Sequence, residues 1–468
     1  MKRTVLLLCS LLALSTPAFA QPKATTTEKP EPLTGQTTDG YRGIWFTLGQ
    51  KLPYGDKYSG GLGTYTANHV PMAVYAPKVN KTFFTYGGTV EGKRHLLIMA
   101  GYYDHKKNEV PRPTIVHDKV TVNDPHDNGS IAIDEKGHVW IFVSGRGRTR
   151  PGFKYRSVKP YDVSEFQFIS EEEMTYPQPW PIKGEGFLHL FTKYTAGREL
   201  YWETSKDGVT WSEDQKLAGL RGHYQTSGAH GKKVATFFNR HPGGSVDKRT
   251  DLYYLQTTDM GKTWTTADGT PVEVPLTNDS NPALVFSYSS QGQMMYGMDL
   301  NFDKRGNPIL LYIVSGDFKP GPDAGPREWT VAHWNGKQWN TNIVTRSEHN
   351  YDVGSIYVKG NEWTVYGPSE RGPQRWGTGG EVAIWTSRDE GKTWKKKAQV
   401  TQDSEFNHTY VRRPVQAKDP FFAYWADGDA DKVSVSRLYF GDSKGRYWQL
   451  PYDMKGEFAK PIALSGKK

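Results

Sequence analysis

The run Asp124-Pro125-His126-Asp127-Asn128-Gly129-Ser130 puts an imidazole between two carboxylic acids, just ahead of an apolar stretch. A carboxylate held at one ring nitrogen fixes the tautomer and raises the basicity of the other, which suits a general base. Soon after comes Ser144-Gly145-Arg146-Gly147-Arg148-Thr149-Arg150-Pro151-Gly152, with three arginines at alternate positions in a glycine-rich loop. Guanidinium forks pair with carboxylate or sulfate through two parallel hydrogen bonds, so this loop suits an anionic ligand. Its glycines look like a phosphate cradle, but the Lys-Ser/Thr of a P-loop is missing and no helix is predicted to follow. Farther on, Gly222-His223-Tyr224-Gln225 precedes Phe237-Phe238-Asn239-Arg240-His241-Pro242. If both segments end on one face, Tyr224 and Arg240 meet there, and a phenol beside a cation exchanges its proton more readily. Glu348-His349-Asn350-Tyr351-Asp352 and Asn407-His408-Thr409-Tyr410-Val411-Arg412-Arg413 add further imidazoles. His241, His349 and His408 are candidate metal ligands, without H-x-x-x-H spacing or cysteine pairs behind them.

These groups are far apart in sequence, so a fold must gather them. A short pattern recurs along the chain: Thr204-Ser205-Lys206-Asp207-Gly208-Val209-Thr210-Trp211, then Thr257 to Trp264, then Thr386 to Trp394. Looser versions end at Trp140, Trp339 and Trp448. This is the Asp-box hairpin, in which the Asp side chain caps the turn, Gly supplies positive φ and Trp packs beneath. Asp207, Asp259 and Asp389 are therefore structural. The recurrence suits four-stranded blades, and apolar runs such as Val139 to Val143 and Pro308 to Val314 read as their strands. The expectation is an all-β fold, a seven-bladed β-propeller with Asp-box hairpins. Six blades or a two-sheet sandwich fit the spacing less well. In a propeller the chemistry belongs to loops on one face near the axis.

Composition agrees. The 468 residues are 36% hydrophobic and 13% aromatic, with 49 Gly and 29 Pro. That excludes collagen, coiled coil and disorder, and argues against a helical bundle. The net charge of +9 is a mild cationic bias compatible with an anionic partner; no basic run or groove-binding helix points to nucleic acid. Lys2 and Arg3, the apolar run Val5 to Leu14 and Ala18-Phe19-Ala20 form a secretory signal, cleaved after Ala20. Its apolar run is too short to span a bilayer, so no membrane span is expected. Cleavage removes Cys9, the single cysteine. Residues 1–20 are thus read as the signal, 21–40 as a flexible tether and 41–468 as one propeller domain, a monomer secreted or held in the periplasm.

The strings GHYQ, FNRHPGG, LYYLQTTDMGKTW, HNYDVGSIY and FNHTYVRRPV together resemble the BNR-repeat propellers, and among them the seven-bladed ulvan lyases of marine polysaccharide-degrading bacteria. The resemblance implies β-elimination at a uronic acid of an anionic sulfated polysaccharide. It implies a His and a Tyr for proton transfer and an Arg that neutralises the uronate, matched here by His126, Tyr224 and Arg240. Which of His126 and Tyr224 is base and which acid stays open. Some relatives carry a second His in the glycine-rich loop, where this chain has Arg146. Asn128, Arg146, Arg148, His223, His241 and Arg412 are the candidate substrate contacts. The chemistry requires no cofactor, and the resemblance allows a structural calcium or zinc ion. Two rival readings remain: a sialidase-like hydrolase, with Arg42, Arg240 and Arg412 as its arginine triad, and a non-catalytic propeller that binds sulfated glycans.

Overall fold

Strands form wherever apolar or alternating runs lie between glycine, asparagine and aspartate turns, and almost nothing else forms. The computed structural model describes residues 31–47, 51–52, 55–56, 59–62, 68–91 and 95–464. Among the described residues there is no α-helix, only four short 3-10 turns. The expected signal sequence and residues 21–30 lie outside the described residues.

Seven antiparallel sheets of four or more strands follow one another along the chain, among the described residues. Their first strands are Ala73–Ala76, Gly129–Ile133, Thr175–Ile182, Gln225–His230, Met294–Phe302, Ser355–Lys359 and Asn407–Arg412, which open blades 1 to 7. Within each blade the first four strands pair in sequence order, a meander; in blade 4 Leu284–Phe286 also pairs with the third strand, Thr250–Thr257. In such a meander the starts of strands one and three and the ends of two and four share a face. The ring closes where blade 7 meets blade 1. Val415 bridges Val74 in parallel, Gly43 bridges both Gly88 and Ser436, and Phe458–Ala459 pairs with Val110–Pro111.

The described part of the expected tether is packed against blade 1. Thr37 bridges Thr114, Gly35 donates to the Ile115 carbonyl and the Leu33 amide donates to Asp118 at 2.9 Å. Residues 33–40 therefore line the outer strand of blade 1, with Leu33 against its core.

Blades pack through aromatic layers. Trp140, Trp264, Trp329, Trp363 and Trp425 are fully buried, each contributing about 1.5–3 kcal/mol or more by area. The Asp-box turns have the expected geometry. Asp207 accepts from the amides of Val209 and Thr210, both at 2.8 Å, and Asp259 and Asp389 accept from Thr263 and Thr393. Gly208 has φ +76, and a Cβ there would sit 2.5 Å from the Trp140 ring, so only glycine fits. The looser copy ending at Trp140 is a different turn. It joins the first two strands of blade 2, whereas Asp207, Asp259 and Asp389 join third strands to fourth.

Candidate active site

His126 lies in the turn Pro125–Asp127 that leads into blade 2 and is nearly buried. Asp124 receives both the His126 backbone amide, at 3.0 Å, and its Nδ1. Nδ1 thus carries the proton and Nε2 is left as the basic nitrogen. Burial pushes the imidazole below its ordinary value, against the pull of Asp124. Burial would raise Asp124 too, but His126 and Arg150 hold this carboxyl well below the usual range. Arg146 Nη1 and Arg150 Nη2 reach Asp124 Oδ2 at 2.6 and 2.7 Å, and Arg150 also reaches Asp127 at 3.2 Å. The glycine-rich loop therefore spends two of its arginines on orienting the histidine.

The matching position of blade 3 brings Tyr176, with its ring 5.7 Å from His126. Blade 4 brings Tyr224, 5.8 Å beyond Tyr176. Tyr176 is held at φ +56, beside a register irregularity in its strand pairing. Such strain costs of order 1–3 kcal/mol and concentrates at working sites. Over the Tyr224 ring lies the Arg249 guanidinium, its Cζ 4.1 Å from the centroid, with that of Arg198 at 6.0 Å. Arg249 also stacks on Tyr351 at 4.9 Å and Tyr296 at 5.4 Å. His241 completes the wall at 4.9 Å from Tyr224. Burial, helped by Arg249, keeps His241 neutral, and its Nε2 is buried without a hydrogen-bond partner. His69 stands behind, 5.1 Å from Tyr176, and burial takes it down to about 3. The phenol and the desolvated cation thus line one narrow cleft with Tyr296 and Tyr351, and the basic nitrogen's ring stands one tyrosine away.

The structure brings His126, Tyr224, Arg146 and His241 to this cleft or its rim. Arg240 is placed elsewhere. Its Nε binds Asp251 at 2.7 Å, Nη1 lies 3.2 Å from Asp279 and Nη2 3.5 Å from Ser289, so the cation against Tyr224 is Arg249 instead. His223 is a backbone clamp, with Nδ1 on the Asn239 carbonyl and Nε2 accepting from the Leu220 amide. Asn128 is fully buried and donates to the Leu62 carbonyl at 2.5 Å, so it braces the site from beneath. Arg412 is buried among the first strands, lining a small internal cavity with Trp180, Ser227 and Ser355; burial lowers its pKa to about 10. Arg148 is the exposed member of its loop, 3.8 Å from Glu173. The sialidase-like triad fails as well. Arg42 joins Asp39 and Asp453 where the ring closes, whereas Arg240 pairs with Asp251 and Asp279 in blade 4.

The proposed histidine metal site does not assemble. His408 is spent on Trp425 Nε1 and Ser404, both at 3.0 Å. His349 accepts from the Tyr351 amide, and burial takes it down to about 3. Among the described residues, one trio of ligand-type side chains lies close together: Glu172, His189 and Glu203, between blades 2 and 3. The buried Lys154 ammonium sits 2.8 Å from each of the two carboxylates, so a cation of the chain's own already fills the centre of that trio.

Sequence reasoning missed Arg249, Tyr176, Arg198 and His69. A usable signal existed in the repeat itself. His69, His126, Tyr176, Tyr224, Tyr351 and Tyr410 stand at or just before the first strands of six blades.

Comparison with known proteins places this geometry in a family. Over 253 residues the chain is 21% identical to "Ulvan Lyase-PL25" of Pseudoalteromonas sp. (strain PLSV), covering 46% of this chain and 51% of that protein. Over 260 residues it is 21% identical to "Ulvan lyase" of Alteromonas sp. (strain LOR), covering 47% and 53%. The chain thus spans about half the length of the curated relatives it matches. Among solved structures, a PL25 ulvan lyase bound to -[GlcA(1-4)Rha3S]- superposes with a TM-score of 0.67 at 14% identity, over 92% of this chain and 98% of that one. The polysaccharide lyase Uly1 follows with 0.58 at 12% identity, over 88% and 98%. These likenesses establish the seven-bladed propeller. Residues 84–347, more than half of the sequence, match one family profile, and the chain belongs to the BNR repeat-containing family.

Proposed function

We propose that this protein is a polysaccharide lyase that cleaves ulvan at the uronic acid by β-elimination. The observation that carries the reading is the Arg249 guanidinium 4.1 Å over Tyr224, one tyrosine away from a histidine whose tautomer Asp124 fixes. The C5 proton of a uronate is weakly acidic until its carboxylate is neutralised. Arg249, with Arg198 near the same Tyr224 ring, supplies that positive charge in a desolvated cleft, where preorganised charge is most effective. His126 Nε2 removes the C5 proton. The electron pair forms the C4–C5 double bond, the C4–O4 bond breaks, and the Tyr224 hydroxyl returns a proton to the departing oxygen. No water is consumed. Two relatives named as ulvan lyases support the substrate. The leader-like residues 1–20 support action outside the cytoplasm.

The test is incubation with ulvan, following the ultraviolet absorbance of the conjugated product. Tyr224→Phe should lose about 10²–10⁴-fold in kcat, as removal of a proton-transfer group does. New reducing ends without absorbance would indicate hydrolysis. Binding without new ends would indicate a lectin-like propeller.

A further inference from the structure

A second cleft opens on the face that carries the catalytic centre. It lies between blades 5 and 6, with a volume of about 520 Å³, and is bordered by Arg346, Glu348, Arg371 and Arg375. It begins where the fourth strand of blade 5 ends, at Ser347, and where the second strand of blade 6 ends, at Glu370. Strand ends of that parity share the side of the ring that holds Tyr224 and Arg249. The segment 347–352 joins the two clefts. Tyr351 stacks on Arg249 at 4.9 Å, and the next residue, Asp352, lines the second cleft.

The charges there are arranged around one carboxylate. Arg371 Nη2 reaches Glu348 Oε1 at 2.9 Å, and Arg375 Nε lies 3.4 Å from both Glu348 oxygens. The other nearby acids have partners of their own: Glu370 binds Lys396 at 3.1 Å, Glu328 binds Arg346 at 2.8 Å, and Asp352 accepts from the His349 and Gly379 amides at 3.0 and 2.7 Å. Arg375 also lies over the half-buried Trp376 ring at 5.4 Å, a flat surface of the kind sugars stack on. Arg371 and Arg375 remain 61% and 44% exposed. Exposed ion pairs contribute only about 0–1 kcal/mol, so an incoming anion can displace Glu348 at little cost. Two guanidinium groups converging on one carboxylate are equally suited to a sulfate ester or a uronate.

We infer that this cleft is a distal subsite, in which Arg371 and Arg375 exchange Glu348 for an oxyanion of the same polysaccharide chain, several sugars away from the bond being cleaved. The inference rests on the lyase reading and specifies where a long substrate gains affinity. The test measures binding of ulvan oligosaccharides of graded length, native and desulfated, to the full chain carrying Tyr224→Phe to suppress turnover. On that background, Arg371→Ala/Arg375→Ala should weaken long oligosaccharides ~3- to 10-fold and leave the shortest unchanged. Glu348→Gln should tighten the long ones by ~2- to 5-fold, an effect that mere loss of packing would not produce. Loss of the length effect on desulfation assigns the subsite to sulfate, and its persistence assigns it to the uronate. Equal effects at every length, or weaker binding by Glu348→Gln, overturn the subsite while leaving the lyase reading intact if the wild type produces unsaturated ends. A wild type that neither binds nor cleaves any of these chains overturns both.

Discussion

Replacing Arg249 discriminates most sharply between the two arginines that compete for the neutralising role. Arg249 is 4% exposed and held against three tyrosine rings at 4.1, 4.9 and 5.4 Å. Removing one preorganised charge from such a site costs about 2.7–4 kcal/mol in the transition state, or 10²–10³ in kcat. Arg249→Met keeps most of the bulk and should show that loss in initial rates of absorbance increase on ulvan. Arg249→Lys keeps the charge but not the planar fork or the stacking, and should recover only part of the rate. The same variants lose cation–aromatic contacts of ~0.5–2 kcal/mol each, so melting curves must accompany the rates. Arg240→Ala is the control. Its guanidinium is compensated by Asp251 and Asp279, and its removal should change kcat less than about tenfold, with the loss confined to stability. A folded Arg249→Met enzyme with near-normal turnover, or an Arg240→Ala enzyme as impaired as Arg249→Met, would refute the assignment.

Two further outcomes follow from the electrostatics. Burial keeps His126 below its ordinary pKa while Asp124 pulls it up, so kcat/KM should rise with pH through a value below about 6.5; Asp124→Asn should move that limb lower still and cost about 10²-fold through loss of the fixed tautomer. A pH–rate profile with its limb unmoved would detach Asp124 from the base. Burial also raises the Asp352 carboxyl to about 7, so the native state holds a proton that the unfolded chain releases near 4. Stability should therefore fall as pH climbs from about 4 to 7, by up to about 4 kcal/mol, and Asp352→Asn should flatten that decline in denaturant titrations.

The propeller was legible because its signal is local. An Asp, a Gly and a Trp at fixed offsets determine one hairpin, and Gly208 shows why, with positive φ and no room for a Cβ over Trp140. His126 and Tyr224 could be singled out for a related reason, since each lies just ahead of a first strand. The side on which Arg240 lies could not be read, because it depends on register. The pairing of the second and third strands of blade 4 shifts between Phe238 and Arg240. A one-residue slip sends a strand's side chains to the opposite side, and here it turns Arg240 toward Asp251 and Asp279. Tyr176 was hidden in the same way, by the irregularity between Thr175 and Gln178. Within the expected tether, residues 33–40 have a tether's composition, yet backbone hydrogen bonds, which composition does not encode, dock them on blade 1.

The repeat that gathers these rings also poses the question of which tyrosine does chemistry, and the answer lies in each ring's second partner. Tyr410 donates to the Ser59 carbonyl at 3.1 Å and Tyr296 to the Asp247 carbonyl at 2.9 Å, so both hydroxyls are committed to the backbone. Tyr176 is 1% exposed, and its ring stands 5.7 Å from that of His126 and 5.8 Å from that of Tyr224. Tyr224 combines access from the cleft, at 6% exposure, with a guanidinium on its face and a neutral imidazole beside it. Arg249 lies against aromatic faces and donates to the Val246 carbonyl at 2.9 Å, whereas Arg240 is paired with the carboxylates of Asp251 and Asp279. Tyr224 is therefore the phenol of the row with a guanidinium directly on its face, one ring away from the histidine that Asp124 orients. That asymmetry, imposed on a repeating scaffold by Asp124 and Arg249, is what the proposed lyase reaction rests on.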